Sequence, residues 1–265
     1  MLKYSLLLIF IFFNLQAFEH KPFAIITASY NNATWYKQNL DSVFCQEYDN
    51  WRMIYIDDCS CDGTGQAVQE YIKQCKQEYR VTFIQNDKRQ RHLANQYAAI
   101  HACANREIIV ILDGDDWLAH NHVLEYVNNV YQDQNVWLTY GQFREFNNNS
   151  IGYCRQVQAS MIENNNIRQH PWVFGHLRTF YAGLFKLIKE EDLKYNGAFF
   201  SMAADVATMI PMAEMAGNRI RFIEDVLYIH NDTNPLCLQK AWPMQTFLKQ
   251  VIRNRPKYTR VVNLD

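Results

Sequence analysis

The chain has 265 residues, of which 49% are hydrophobic and 14% aromatic, enough to bury one large core or one core with a small satellite lobe. Its 26 Lys and Arg against 27 Asp and Glu give a formal charge of -1. No global field draws in a polyanionic backbone, so no nucleic-acid partner is expected.

Residues Met1-Leu2-Lys3, the apolar run Tyr4 to Phe13 and the small residue Ala17 have the layout of a secretory signal peptide. An uncleaved N-terminal anchor is the other reading of residues 1–18, although the run is shorter than the roughly 20 apolar residues that span a bilayer. Both readings imply an exported or membrane-associated protein. Residues 19–265 are expected to form a single domain.

From Phe23 onward, short apolar runs alternate with longer amphipathic ones, the pattern of a parallel sheet with crossover helices and hence of an α/β fold. Phe23 to Ser29 predicts a strand, Thr34 to Phe44 a helix, and Trp51 to Ile56 a strand running into Asp57-Asp58. The polar turn Cys59 to Gly65 leads into a helix from about Gln66 to Gln77. Arg80 to Gln85 is a third strand, Leu93 to Ala104 a helix, and Glu107 to Leu112 a fourth strand that delivers Asp113-Gly114-Asp115-Asp116. In open α/β sheets, ligands bind at the carboxyl edge where such turns lie.

A helix is expected from about His120 to Tyr131 and a strand from Val136 to Phe143. The Asn-rich stretch 144–178 reads as a polar excursion on the acceptor side. Further helices are predicted over Leu177 to Ile188 and Ala203 to Ala216, with Pro211 kinking the second or delaying its start. A strand follows over Arg219 to Ile229, and the tail after Pro235 reads as a helix with a loosely held end.

The seven cysteines, 45, 59, 61, 75, 103, 154 and 237, are odd in number and lack zinc-site spacing, so most are expected to be small buried apolar residues. Glycosylation sequons begin at Asn32, Asn148 and Asn231.

Three carboxylates within four positions after a buried strand repel one another unless something compensates them. Oxygen ligands from Asp113, Asp115 and Asp116 suit magnesium or manganese, and Gly114 lets the backbone turn sharply and a substrate come close. A solvated acidic turn is the bland alternative. At the end of the second strand, a carboxylate of Asp57 or Asp58 could accept from a base N–H or a ribose hydroxyl; the alternative is a helix cap, for which Asp62 competes. Gly63-Thr64-Gly65 lacks a third glycine and does not follow the first strand, which counts against a dinucleotide-binding dehydrogenase.

Taken together, Ala24 to Asn31, Asp57 to Thr64 and Leu112 to Trp117 resemble the successive signatures of family 2 glycosyltransferases with the glycosyltransferase A fold. That resemblance covers about residues 22–140, which it marks as the nucleotide-sugar half, with an acceptor half at about 141–235 and a C-terminal tail at 236–265. It implies transfer of a sugar from a nucleotide-diphosphate sugar, a UDP-sugar being favoured, to a hydroxyl of a glycan, lipid or protein, with inversion and with bound manganese or magnesium.

By the same resemblance, Thr27, Ala28, Tyr30 and Asp58 lie at the base and ribose, and Asp113 and Asp115 form the metal motif, with Asp116 serving metal or sugar. Arg89 or Arg91 neutralises the diphosphate, or the Lys88 to His92 loop is simply solvated; Arg91 stands where relatives have a glycine. Asp205 matches the general base, the alternative being a first-turn carboxylate that favours the helix dipole; His230 matches a metal-binding histidine, the alternative being a strand-end polar residue; and His176 to Thr179 match the lining of the acceptor cleft. Trp137, Tyr140, Trp172 and Tyr181 are candidates for sugar stacking, or for core. A nucleotidyltransferase on a related sheet and an exported carbohydrate-binding protein without turnover are the competing readings. The first lacks its usual glycine-rich basic loop after the first strand, and the intact acidic turn argues against the second.

Overall fold

The computed structural model describes residues 18–236 and 242–264, so the segment read as a signal or anchor lies outside the described residues except for Phe18, and so does Cys237. Strand β1 (Phe23–Ser29) is small or apolar throughout and almost wholly buried, as a strand covered on both faces must be. Strand β2 (Trp51–Asp57) pairs parallel with it, Ser29 opposite Asp57, and β3 (Val81–Gln85) pairs parallel with β2. On the other side of β1 lies β4 (Ile108–Ile111), also parallel. Crossovers are α1 (Tyr36–Phe44), α2 (Thr64–Gln74) and α3 (His92–His101), so the carboxyl ends of all four strands open on one edge.

The second half completes the same sheet. After the two-residue β5 (Trp117–Leu118) come α4 (Val123–Val130) and β6 (Leu138–Glu145). Short α5 (Ala159–Glu163) and a 3-10 turn at Ile167–Gln169 interrupt the polar excursion. Then follow β7 (Arg178–Tyr181), α6 (Ala182–Lys186), the hairpin of β8 (Lys194–Tyr195) and β9 (Ala198–Phe199), α7 (Ala204–Ala216), β10 (Ile220–His230) and α8 (Trp242–Arg253). Strand order is β3-β2-β1-β4-β7-β6-β10-β5, with β7 antiparallel to both neighbours and the rest parallel except for β5. One core runs through both halves. Among the described residues, no helix is long and apolar enough to cross a membrane.

Four expectations need correction. The helix predicted over Leu177 to Ile188 is strand β7 followed by the short α6: Arg178, Thr179, Phe180 and Tyr181 are all buried and hydrogen-bonded between β4 and β6. An apolar run of this length carries no periodicity that separates a buried strand from a buried helix. Pro211 does not delay the start of α7, which begins at Ala204 and passes through the proline with every residue from Val206 to Ala216 buried. Tertiary packing outweighs the lost backbone hydrogen bond.

The C-terminal end is docked rather than loose. Val261 donates its N–H to the Met215 carbonyl at 3.0 Å, Tyr258 O–H bonds Asp192 at 2.6 Å, and Leu264 is buried. Of the six described cysteines, none is in a disulfide and only Cys103 and Cys154 are buried; Cys45 and Cys61 are exposed. Asn32 and Asn231 are buried, which removes two of the three sequons from the folded surface.

Candidate active site

The strand ends frame a cavity of about 410 Å3, within the ~300–1,000 Å3 usual for small-molecule sites. Ala28 and Tyr30 reach it from the end of β1, Asp58 from the end of β2, and Asp113, Asp115 and Asp116 from the turn after β4. Asp205 enters from the first turn of α7, and His176, Arg178 and His230 from the second half of the sheet. Residues far apart in sequence therefore meet at one place.

The acidic turn is built against β1. A Cβ on Gly114 would lie 2.6 Å from Ser29 Cβ and Oγ and 2.9 Å from Asn32 Nδ2, so only glycine lets the turn rest there. Gly114 is thus packing under the cavity rather than lining it. Buried Asn39 on α1 fastens the turn from behind, its Nδ2 donating to the carbonyls of Asp113 at 2.9 Å and Asp116 at 2.7 Å. Asp116 accepts from Tyr228 O–H at 2.6 Å and from the Asn231 N–H at 2.7 Å; Asp115 accepts from Asn234 Nδ2 at 2.7 Å.

Burial, and then the neighbouring Asp115, pushes Asp116 well above the usual carboxylate range; burial, and then Asp113, raises Asp115. Such crowding is what a divalent cation relieves. Oδ1 of Asp113 is buried without a hydrogen-bond partner, the His92 ring lying 3.4 Å away. Among the described residues, Asp113, Asp116 and His176 place one donor atom each within 4.8 Å of one another. Two carboxylates and an imidazole fit manganese or magnesium, so the residues present suit the metal. Burial, and then Arg178, holds the His176 ring well below its ordinary pKa, which keeps it a neutral potential ligand. His230 stacks on His176 with centroids 5.8 Å apart, while its Nδ1 pairs with Glu145 Oε2 at 2.7 Å. It lines the cavity but lies outside that three-residue group.

On the other wall, Asp58 fastens the basic loop. It accepts from the Gln90 N–H at 2.7 Å, the Arg91 N–H at 2.8 Å and Asn86 Nδ2 at 2.9 Å. Burial alone would raise this carboxyl, but those donors and Asn95 outweigh it and hold it below its usual value. Arg91, at φ 73° and ψ 166°, takes a conformation natural to glycine, so the loop keeps its shape without one. Arg89 lies over the Tyr30 ring, 3.5 Å from its centroid, and both line the cavity.

Thr27 and Asp57 do not face the cavity. Both are fully buried; Asp57 accepts from the Ser60 O–H in the turn ahead of α2, whose first N–H, that of Thr64, goes to Asp62 at 3.0 Å. The split follows position along the chain: Ala28, Ser29 and Tyr30 at the carboxyl end of β1 and Asp58 just past β2 line the cavity, while Asp57 is engaged by Ser60 and Gln85. None of Trp137, Tyr140, Trp172 and Tyr181 lines the cavity; all four pack in or against the core. Asn39, Asn234 and Tyr228 escaped sequence reasoning. A buried asparagine at an apolar position of a helix is the one local signal, for Asn39.

Comparison with known proteins now gives this geometry a lineage. The model of Glycosyl transferase family 2 matches residues 24–193. The chain belongs to this family. Over 129 residues it is 30% identical to the Escherichia coli UDP-Glc:alpha-D-GlcNAc-diphosphoundecaprenol beta-1,3-glucosyltransferase WfgD, covering 48% of each protein. It therefore spans about half the length of that relative. TarS 1-349 of S. aureus, solved in complex with UDP-GlcNAc, superposes with a TM-score of 0.60 at 18% identity, over 87% of this chain and 66% of that one. The mannosyltransferase PcManGT of Pyrobaculum calidifontis, solved with GDP-Man and Mn2+, gives 0.58 at 21% identity, over 88% and 63%. Those likenesses establish the glycosyltransferase A type of fold.

Proposed function

We propose that the chain transfers a sugar from a nucleotide-diphosphate sugar to an acceptor hydroxyl, with inversion at the anomeric carbon. One observation carries the reading. A single cavity holds the acidic turn Asp113 to Asp116 on one side and, across Arg178, Asp205 on the other. The family membership and the nucleotide sugars bound by TarS and PcManGT support the donor class.

Ala28, Tyr30 and Asp58 then hold the nucleoside at the ends of β1 and β2, with Arg89 and Arg91 near the phosphates. Asp113 and Asp116 with His176, and Asp115 beside them in the same turn, are the residues that would hold manganese or magnesium, which would supply positive charge to the leaving diphosphate. Asp205 takes the proton from the acceptor hydroxyl as that oxygen bonds the anomeric carbon on the face opposite the departing phosphate oxygen. Attack from that face inverts the configuration.

Calorimetric titration of the chain from residue 19 with UDP and GDP, with and without manganese, tests the donor site. Metal-dependent binding lost in Asp115→Ala is the expected result. Absence of binding by UDP, GDP, CDP and dTDP under all conditions would remove the reading. With an active donor in hand, NMR of the product's anomeric configuration tests inversion.

A further inference from the structure

Arg178 is an unusual residue to find at this depth. It sits at the start of β7 with its side chain 8% exposed, yet lines the cavity. Its NH2 is 4.0 Å from Asp113 Oδ2 and its NH1 is 3.9 Å from Asp205 Oδ2, both longer than the 2.7–2.9 Å of a charge-assisted hydrogen bond. NH2 lies 3.1 Å from the ring Nδ1 of His176, and Nε–H is buried without an acceptor. The two carboxylates balance its charge from a distance but leave its fork of donors short of acceptors. A buried guanidinium in that condition is costly, and an anion bearing several oxygens is what satisfies it.

Its place in the cavity says which anion. Arg178 stands between the acidic turn and Asp205, where the sugar-phosphate bond lies in the reaction proposed above, on which this inference rests. We infer that Arg178 hydrogen-bonds the terminal phosphate of the donor's diphosphate and receives the charge that builds there as the sugar departs. In that step, the bond from the anomeric carbon to the bridging phosphate oxygen breaks, and its electron pair stays on the diphosphate. The acceptor oxygen bonds the same carbon, and its proton passes to Asp205. Charge grows on the oxygens facing Arg178 while Asp205 becomes neutral, so the guanidinium's balance moves from the base to the leaving group.

This assignment separates a diphosphate from a monophosphate. Arg178→Gln and Arg178→Lys are titrated, beside the unmodified chain, with UDP against UMP and GDP against GMP in manganese. In Arg178→Gln the diphosphate should bind roughly tenfold or more weakly, the worth of a hydrogen bond to a charged group, while the monophosphate stays within about twofold. The lysine variant, with charge but no planar fork, should fall between, and carries the comparison if the glutamine variant does not fold. Equal binding of the diphosphate by variant and unmodified chain would overturn the assignment. Equal loss of both nucleotides would overturn it too, by reducing Arg178 to a structural role. If the unmodified chain binds no nucleoside diphosphate, the donor reading itself fails and takes this inference with it.

Discussion

Removing one partner of the buried ion pair behind α7 should be the most damaging single change outside the cavity. Arg168 and Glu214 are 4% and 0% exposed at their side chains and meet in a two-pronged pair, Nε to Oε1 at 2.7 Å and NH2 to Oε2 at 2.9 Å. NH1 of Arg168 donates to the Ile252 carbonyl at 2.6 Å, and the Tyr258 N–H to Glu214 Oε2 at 3.0 Å, so the pair ties α7 to α8 and to the C-terminal segment. Arg168→Ala leaves the Glu214 carboxylate with the Tyr258 amide alone and the Ile252 carbonyl with the Arg255 N–H at 3.2 Å. An uncompensated buried charge costs about 3–5 kcal/mol. At 2–4 °C per kcal/mol for a chain of this size, thermal melts followed by circular dichroism should drop by roughly 6–20 °C. Arg168→Met with Glu214→Leu removes both charges and should recover most of that loss, because apolar replacements of a buried pair are often neutral. A drop in Arg168→Ala below about 3 °C, or a double variant no more stable than the single one, would refute the reasoning.

Three further outcomes concern the cavity itself. Arg91→Gly should raise stability by about 1 kcal/mol: relief of a strained backbone, worth about 1–3 kcal/mol, exceeds the added freedom of the unfolded glycine chain. A urea-unfolding midpoint that moves down instead of up would count against strain at that residue. The raised pKa of Asp116 gives a signed pH effect. Its protonated form contributes stability that is complete below the ordinary aspartate range and is lost as pH rises through the higher folded value. Metal-free protein should therefore melt higher at mildly acidic than at neutral pH, and Asp116→Asn should flatten that slope. At neutral pH, manganese should raise the melting temperature of the unmodified chain, and a chelator should reverse the gain.

The first half of the fold was legible because each strand is a short apolar run ending in a polar turn, which announces both the element and the edge where ligands bind. The acidic cluster was legible for the same reason, since three carboxylates within four positions need an explanation wherever they fall. Thr27 and Asp57 were misread because a motif at a strand end does not say which of its side chains reach the cavity, and both are fully buried away from it. Arg178 is a different case. Its role depends on β7 passing between β4 and β6 in the reverse direction, a pairing of segments about 70 and 40 residues away that no local pattern encodes. Arg91 shows the reverse, for the missing glycine was visible in sequence, but only the Asp58 carboxylate reveals how the loop keeps its shape.

That reversed strand also sets the order in which the molecule can be assembled. Until residues 178–181 emerge from the ribosome, β4 has β1 on one side and an open row of backbone donors and acceptors on the other. The open edge is Ile-Ile-Val-Ile, the kind of sequence that pairs readily with a second copy of itself. A fragment ending near residue 145 would thus hold most of the nucleotide-facing wall and still be a poor independent protein, because the strand that closes its sheet belongs to the half that brings Asp205.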